Sequence, residues 1–257
     1  MGAPLDIVKF PRTPHLEGSE LQPGDDDVPR MRRRALEGEV VVTEKLDGIN
    51  IGLRFDASGR PWLFSRAHLL GNEPWFDRLK AQVAAAAPAC FARLGDRYVL
   101  YGEWLYAKHT VFYDSLSAYL FVFDALELGA QRFLGTAERR GLLSGLGFVE
   151  APELWRGPGR ELPPVEALLG RSRFASPRLQ DAFEALIVAR GLDLDRERAQ
   201  TELSGVMEGL AFRLEREGRF VSRCKFVRPG FRQAIASSGS HWASRPLVPN
   251  LLAGVRP

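Results

Sequence analysis

Cysteine is scarce. Cys90 and Cys224 are the only two in 257 residues and stand in no C-x-x-C spacing, which excludes a disulfide framework and a thiolate zinc site and points to a reducing compartment. The four histidines, His15, His68, His109 and His241, are scattered with no metal-ligand spacing, so each reads as a polar surface or loop residue rather than a catalyst. Long apolar runs are missing as well. The most apolar stretch, residues 81–94, is interrupted by Pro88 and Arg93 and is too short to span a bilayer. The opening segment lacks a secretory apolar core, and Asp6 stands where a myristoylation signal needs Ser or Thr. A soluble, cytoplasmic protein without a membrane partner is expected. Excess charge is lacking too: 35 basic against 32 acidic residues give a net +3, which rules out a polybasic binder but leaves room for a local cationic groove. Lysine itself is rare, with Lys9, Lys45, Lys80, Lys108 and Lys225 set among many arginines, so each lysine is an informative choice.

What is present is ordinary globular material, 45% hydrophobic and 26% charged, in a chain long enough to bury a large core without staples. Three stretches are expected: an irregular N-terminal arm (1–34), a main domain (35–229) and a short tail (230–257). The arm carries five prolines, the acidic run 25–27 and then Arg30, Arg32, Arg33 and Arg34. Those arginines read first as a solvated helix start and only second as phosphate contacts. From Glu39 the β-branched residues of EVVVTEKLDGINIGLRF, the Ala57–Arg60 turn and PWLFSR predict two or three strands with a hairpin. Residues 74–94 predict a helix with a break at Pro88. The aromatic segments DRYVLYGEWLY and AYLFVFDALEL predict strands, residues 137–200 predict mainly helices, and 206–228 predict two strands around Glu217-Gly218. The fold class is α+β, with antiparallel sheets and helices packed outside.

One constellation carries chemistry. Lys45-Leu46-Asp47-Gly48 puts a lysine at a strand end beside a carboxylate and a glycine. By itself this is a charged turn. It is followed in order by Ser65-Arg66, Tyr101-Gly102-Glu103-Trp104, Phe121-Val122-Phe123-Asp124, Glu208-Gly209-Leu210 and Arg223-Cys224-Lys225-Phe226. This series, spanning residues 44–228, resembles the collinear motifs of the covalent nucleotidyltransferases, the superfamily of polynucleotide ligases and mRNA capping enzymes. Asn50, where DNA ligases and capping enzymes usually carry arginine, together with YGEWLYAKHT and RCKFVRP, is similar to ATP-dependent RNA ligases of the nick-sealing type.

The resemblance implies a nucleotidyltransferase fold around an ATP pocket. It implies Lys45 as the nucleophile that forms lysyl-AMP, with AMP passing to an RNA 5′-phosphate and a 3′-hydroxyl displacing it. Glu44 would then lie near the adenine, Arg66 near the ribose, and Asp47, Gly48 and Asn50 around the nucleotide. Phe121, with Phe123 as the alternate, would stack on the base, a contact worth about 1–3 kcal/mol. Glu103 and Glu208 would hold Mg2+, or Mn2+ in its place. An unperturbed lysine is deprotonated about once in a thousand molecules near pH 7, a deficit of about 4 kcal/mol. Strand alternation puts Arg223 and Lys225 on one face, from which both are expected to lower the pKa of Lys45 and neutralise the α-phosphate. Lys108 is a further possible phosphate contact.

Three departures qualify the match. Asp47 stands where the phage nick-sealing RNA ligase has histidine, although it agrees with the wider superfamily. Arg223 replaces a frequent lysine. Only 29 residues follow Arg228, fewer than an OB domain needs, so RNA ends would be recognised by the arm, by the 137–200 region or by an end-processing or RNA-binding partner protein. The alternatives are a DNA ligase or guanylyltransferase relative, and an RNA-end-binding module without turnover.

Overall fold

In the computed structural model, residues 6–21, 25, 28–65, 68–231 and 246–255 are described. The strands in chain order are β1 (His15–Leu16), β2 (Arg30–Met31), β3 (Glu39–Lys45), β4 (Ile49–Phe55), β5 (Pro61–Ser65), β6 (His68–Leu69), β7 (Tyr98–Trp104), β8 (Leu120–Glu127), β9 (Arg132–Phe133), β10 (Glu153–Pro158), β11 (Gly209–Arg216) and β12 (Arg219–Val227). The helices are α1 (Asp77–Leu94), α2 (Thr136–Leu143), α3 (Val165–Leu168), α4 (Leu179–Ala189) and α5 (Leu194–Ala199). The strands form two six-stranded sheets, ordered β10-β3-β11-β12-β1-β2 and β6-β5-β4-β7-β8-β9. Apart from the short parallel pairings of β1, every neighbour is antiparallel. Among the described residues no helix is long and apolar enough to cross a membrane.

Alternation assigns the faces. In the first sheet Val40, Val42, Leu210, Phe212, Leu214, Cys224 and Phe226 form one buried cluster with Leu162 and Val165. In the second, Ile49, Ile51, Leu53, Leu100 and Trp104 pack against Leu79, Val83, Cys90 and Leu94 of α1. The opposite faces, bearing Lys45 and Lys225 on one sheet and Asn50, Glu103 and Phe121 on the other, line a common cleft. Turn chemistry fixes the hairpins. Glu217 and Gly218 both have positive φ, at 52° and 72°, the requirement of a two-residue turn whose twist matches its strands. Asp56 accepts from the Ser58 and Arg60 backbone N–H groups at 2.9 and 3.1 Å.

Four details differ from the sequence reading. Helix α1 runs through Pro88 without a break; the ring lies on the exposed side, and packing on both sides of it outweighs the missing hydrogen bond. Within 137–200, β10 pairs antiparallel with β3; its Gly-Pro ending and half-buried pattern hide it. The arm supplies β1 and β2, with His15 in register with Lys225 and Arg30. The arginine run includes a short 3-10 turn at Arg33–Ala35, where the Arg33 guanidinium is drawn to the carbonyls of Leu162 and Pro163.

Candidate active site

The cleft encloses about 720 Å³, within the range of small-molecule sites. At one end Lys45, the last residue of β3, donates to both carboxylate oxygens of Glu208, at 2.7 and 2.6 Å. Glu208 is 1% exposed, and the lysine keeps 24% of its side-chain surface open to the cleft. Gly209 pairs with Lys45 across neighbouring strands of the first sheet. A Cβ there would collide with the Phe226 carbonyl, so the glycine after Glu208 permits the close approach of β12 that brings Lys225 alongside.

The turn after Lys45 is held by its own residues. Asp47 is buried, accepts from the Thr110 and Val111 N–H groups at 2.7 and 2.8 Å, and donates its backbone N–H to Tyr113 Oη at 3.0 Å. That carboxylate is committed to the loop, so Asp47 shapes the site from behind. Gly48 donates to Glu103 Oε1 at 3.2 Å; a Cβ on it would lie 2.6 Å from the Trp104 carbonyl oxygen. Asn50 pairs with Glu103, and both line the cleft with Phe121 and Lys225. Asn250, fully buried, accepts from Tyr113 N–H at 2.9 Å and donates to the Leu105 carbonyl at 2.7 Å, fastening residues 246–255 to the loop that clamps Asp47.

The electrostatics reverse one expectation. Burial pushes Lys45 down, but the carboxylates of Glu208, Glu103 and Asp47 outweigh it, and its pKa stands above the ordinary lysine value. The surroundings are anionic rather than cationic. Burial in turn pushes Glu103 up to about 8 and Glu208 up to about 7, against the pull of Lys45. Two desolvated carboxylates facing one ammonium make a locus that favours additional positive charge. They suit one hard divalent cation sharing its remaining positions with phosphate oxygens and water. Among the described residues no group of three or more His, Cys, Asp or Glu forms a closed metal cage.

Glu44 is 1% exposed, and neither carboxylate oxygen has a hydrogen-bond partner among the described residues. Burial raises its pKa, opposed by the nearby Ser172 and Arg173. An orphaned acceptor beside the cleft fits a ligand that brings N–H donors. Phe121 is 1% exposed and meets Phe174 edge-on at 5.1 Å, so one side of its ring is spent on the core. Phe123 packs against Phe10 instead, at 5.1 Å. A bulge in β8 separates them: Tyr101 pairs with Asp124 but Gly102 with Val122, leaving Phe123 unpaired. Phe121 and Asp124, three apart, thereby both face the cleft.

Arg223 is a correction. It shares a face with Lys225, as alternation requires, yet sits at the other end of the cleft. There its Nη1 lies 2.8 Å from Asp124 Oδ2, and its guanidinium carbon is 3.7, 4.4 and 4.5 Å from the ring centroids of Phe133, Phe220 and Phe10. Arg213 binds the other oxygen of Asp124 at 3.0 Å and Glu215 at 2.8 Å. Arg223 thus ties one sheet to the other, and it is absent from the charges that set the pKa of Lys45. Lys108 is not brought to the cleft; it lies beside Trp75, Glu197 and Val248. Arg66 lies outside the described residues.

Two residues that sequence reasoning missed stand beside Lys225. His15 is fully buried, contrary to its reading as a surface residue. Its Nδ1 is 2.7 Å from Ser19 Oγ and its Nε2 3.0 Å from Asp25 Oδ2, and Asp25 Oδ1 is 3.4 Å from Lys225 Nζ. A histidine in a proline-rich arm carries no local signal of burial. The motif that contains Asp124 gives it no role, because a bulge leaves no mark on composition.

A family model described as RNA ligase matches residues 38–227. Among solved structures, an archaeal ATP-dependent RNA ligase is 20% identical with a TM-score of 0.50, covering 86% of this chain and 48% of that one. A Naegleria gruberi RNA ligase variant with ATP and Mn is 15% identical with a TM-score of 0.50, covering 92% and 60%. At these identities the likeness speaks to the fold, which is that of the ligase nucleotidyltransferases. The chain spans roughly half the length of the archaeal structure. No curated protein matches it.

Proposed function

The chain belongs to the RNA ligase family, and on that premise we propose that it is an ATP-dependent RNA ligase working through lysyl-AMP on Lys45. The observation that carries this reading is the Lys45 ammonium held by both oxygens of Glu208, with Glu103, Asn50, Phe121 and Lys225 around the same cleft. The neighbours' ATP and Mn accord with ATP and Mg2+ or Mn2+ here.

In the first transfer the Lys45 Nζ lone pair attacks the α-phosphorus of ATP, the P–N bond forms and pyrophosphate leaves. Glu208, already hydrogen-bonded to Nζ and raised to about 7, is placed to take the lysine proton at a carboxylate oxygen. Glu103 and Glu208 would hold a divalent cation, which would supply positive charge to offset the two carboxylates that keep Lys45 protonated and to neutralise the phosphates. Lys225 offers an ammonium to the phosphate. Glu44 would receive the purine's amino group and Phe121 would line its face; Arg66, near the ribose, belongs to the proposal on its sequence position alone. In the second transfer an RNA 5′-phosphate oxygen displaces Lys45 from AMP. In the third a 3′-hydroxyl attacks that 5′-phosphorus and AMP departs, leaving a phosphodiester. RNA is engaged by the arm, the helices of 137–200 or an end-processing or RNA-binding partner protein, in a reducing cytoplasm that suits the two free buried thiols.

Incubation with labelled ATP or GTP and Mg2+ tests the reading. The expected result is protein-linked AMP that disappears in Lys45→Ala, followed by sealing of nicked RNA in preference to nicked DNA, the 2′-hydroxyl being the distinguishing handle. An adduct with GTP instead would indicate a guanylyltransferase, preferential sealing of nicked DNA a DNA ligase, and no adduct at any pH a module that binds ends without turnover.

A further inference from the structure

The arm does more than cover a sheet edge. Its β1 pairs His15 in register with Lys225, and paired residues project to the same face of a sheet, so the buried imidazole stands beside the lysine, behind the cleft wall that Asp25 and Lys225 line. It is the only histidine among the described residues with no exposed surface. The contacts run in a chain that begins on β12 itself. Val227 N–H donates to Ser19 Oγ at 2.9 Å, Ser19 Oγ meets His15 Nδ1, His15 Nε2 meets Asp25 Oδ2, and the second oxygen of Asp25 reaches back to Lys225 two residues from the start. Burial, followed by the charge of Lys225, lowers the pKa of His15. The neutral ring carries one N–H, and the arrangement places it on Nε2 toward the carboxylate, with Nδ1 accepting from the serine hydroxyl.

We propose that His15 and Asp25 are positioning residues for Lys225, aiming its ammonium at the phosphate bound over Lys45. This inference rests on the ligase reading above. A lysine head is a point charge on four rotatable carbons, so a fixed carboxylate at its side confines it where a free side chain would wander. The distances favour support over blockage. Asp25 lies closer to His15, at 3.0 Å, than to Lys225, at 3.4 Å, so the lysine is guided while its other N–H groups stay available for phosphate. A removable plug would not be anchored through a fully buried ring.

The test is single-turnover formation of the lysyl-nucleotide with labelled ATP and Mg2+ in Asp25→Asn, His15→Phe and His15→Gln. Asp25→Asn keeps the shape and removes the charge. It should slow adduct formation at saturating ATP about tenfold or more, the scale set by misplacing a reacting group, with the wild-type unfolding midpoint. His15→Gln, which retains a donor, should stay nearer wild type than His15→Phe. In a Lys225→Met background Asp25→Asn should have no further effect, because both act through one ammonium. A normal or faster Asp25→Asn enzyme, or effects that multiply with Lys225→Met, overturns this inference alone. Absence of any adduct in the wild-type protein overturns the ligase reading along with it. If His15→Phe fails to fold, Asp25→Asn decides.

Discussion

The two ends of the cleft lie between the same two sheets and each buries a carboxylate almost completely, Glu208 and Asp124, yet they hold charge in opposite ways. At the far end Asp124 is shared by Arg213 and Arg223, and Glu215 is bound by Arg213 and by the backbone and hydroxyl of Thr136. Burial pushes Glu215 up, but those partners overcome it, and its pKa stands below the ordinary value. At the Lys45 end burial, helped by the neighbouring carboxylates, pushes Glu103 and Glu208 up to about 8 and about 7 against the pull of Lys45. One end is a satisfied clamp between sheets. The other is left short of positive charge, the condition in which a site accepts a ligand rather than rests.

Three substitutions would break or sharpen this contrast. Lys45→Ala should remove every detectable protein–nucleotide adduct, read by labelled ATP on a gel, because the nucleophile itself is lost. Asp124→Asn should leave two buried guanidiniums facing a neutral amide and cost about 3–5 kcal/mol of stability in denaturant titrations. The adduct yield per folded molecule should be unchanged, since Asp124 acts on the clamp.

Glu103→Gln carries the smallest effect and the clearest sign. Between about pH 4.3, the ordinary glutamate value, and about pH 8, native Glu103 holds a proton that the unfolded chain has released. Wild-type stability therefore falls as pH rises through that window. The non-titrating amide should gain on wild type progressively as pH rises through that window and differ by nothing at pH 4, while slowing adduct formation. Melting curves across pH check it, and equal pH dependence in the two proteins would show that Glu103 titrates normally.

Much of this architecture could be read from residues alone. Alternation in EVVVTEK and RFVSRCKFV gives the faces of β3 and β12, and the Glu217-Gly218 turn follows from the positive φ that its hairpin needs. The collinear motifs converge on one cleft through Lys45, Glu103, Phe121, Glu208 and Lys225. What escaped reading depends on long-range contact. Sharing a face told nothing of how far apart Arg223 and Lys45 lie along the cleft, nor that Asp124 from the other sheet would bind the arginine. The sign of the Lys45 shift escaped for the same reason, because Glu208 and Glu103, the two strongest of the carboxylates that raise it, come from separate segments and reach it only in the folded chain. His15 was hidden by its setting among prolines, where no periodicity reports burial.

The bulge at Phe123 makes the length of β8 a quantity as consequential as its chemistry. One surplus residue is absorbed between Val122 and Asp124, so that the half before it faces the Lys45 end and the half after it serves the clamp. Deleting that residue would leave Val122 and Asp124 as plain neighbours opposite Gly102 and Tyr101 and keep the aspartate on its arginines, whereas ironing the bulge into strict alternation at the present length would turn Asp124 away from them, a frameshift in space with no change of composition.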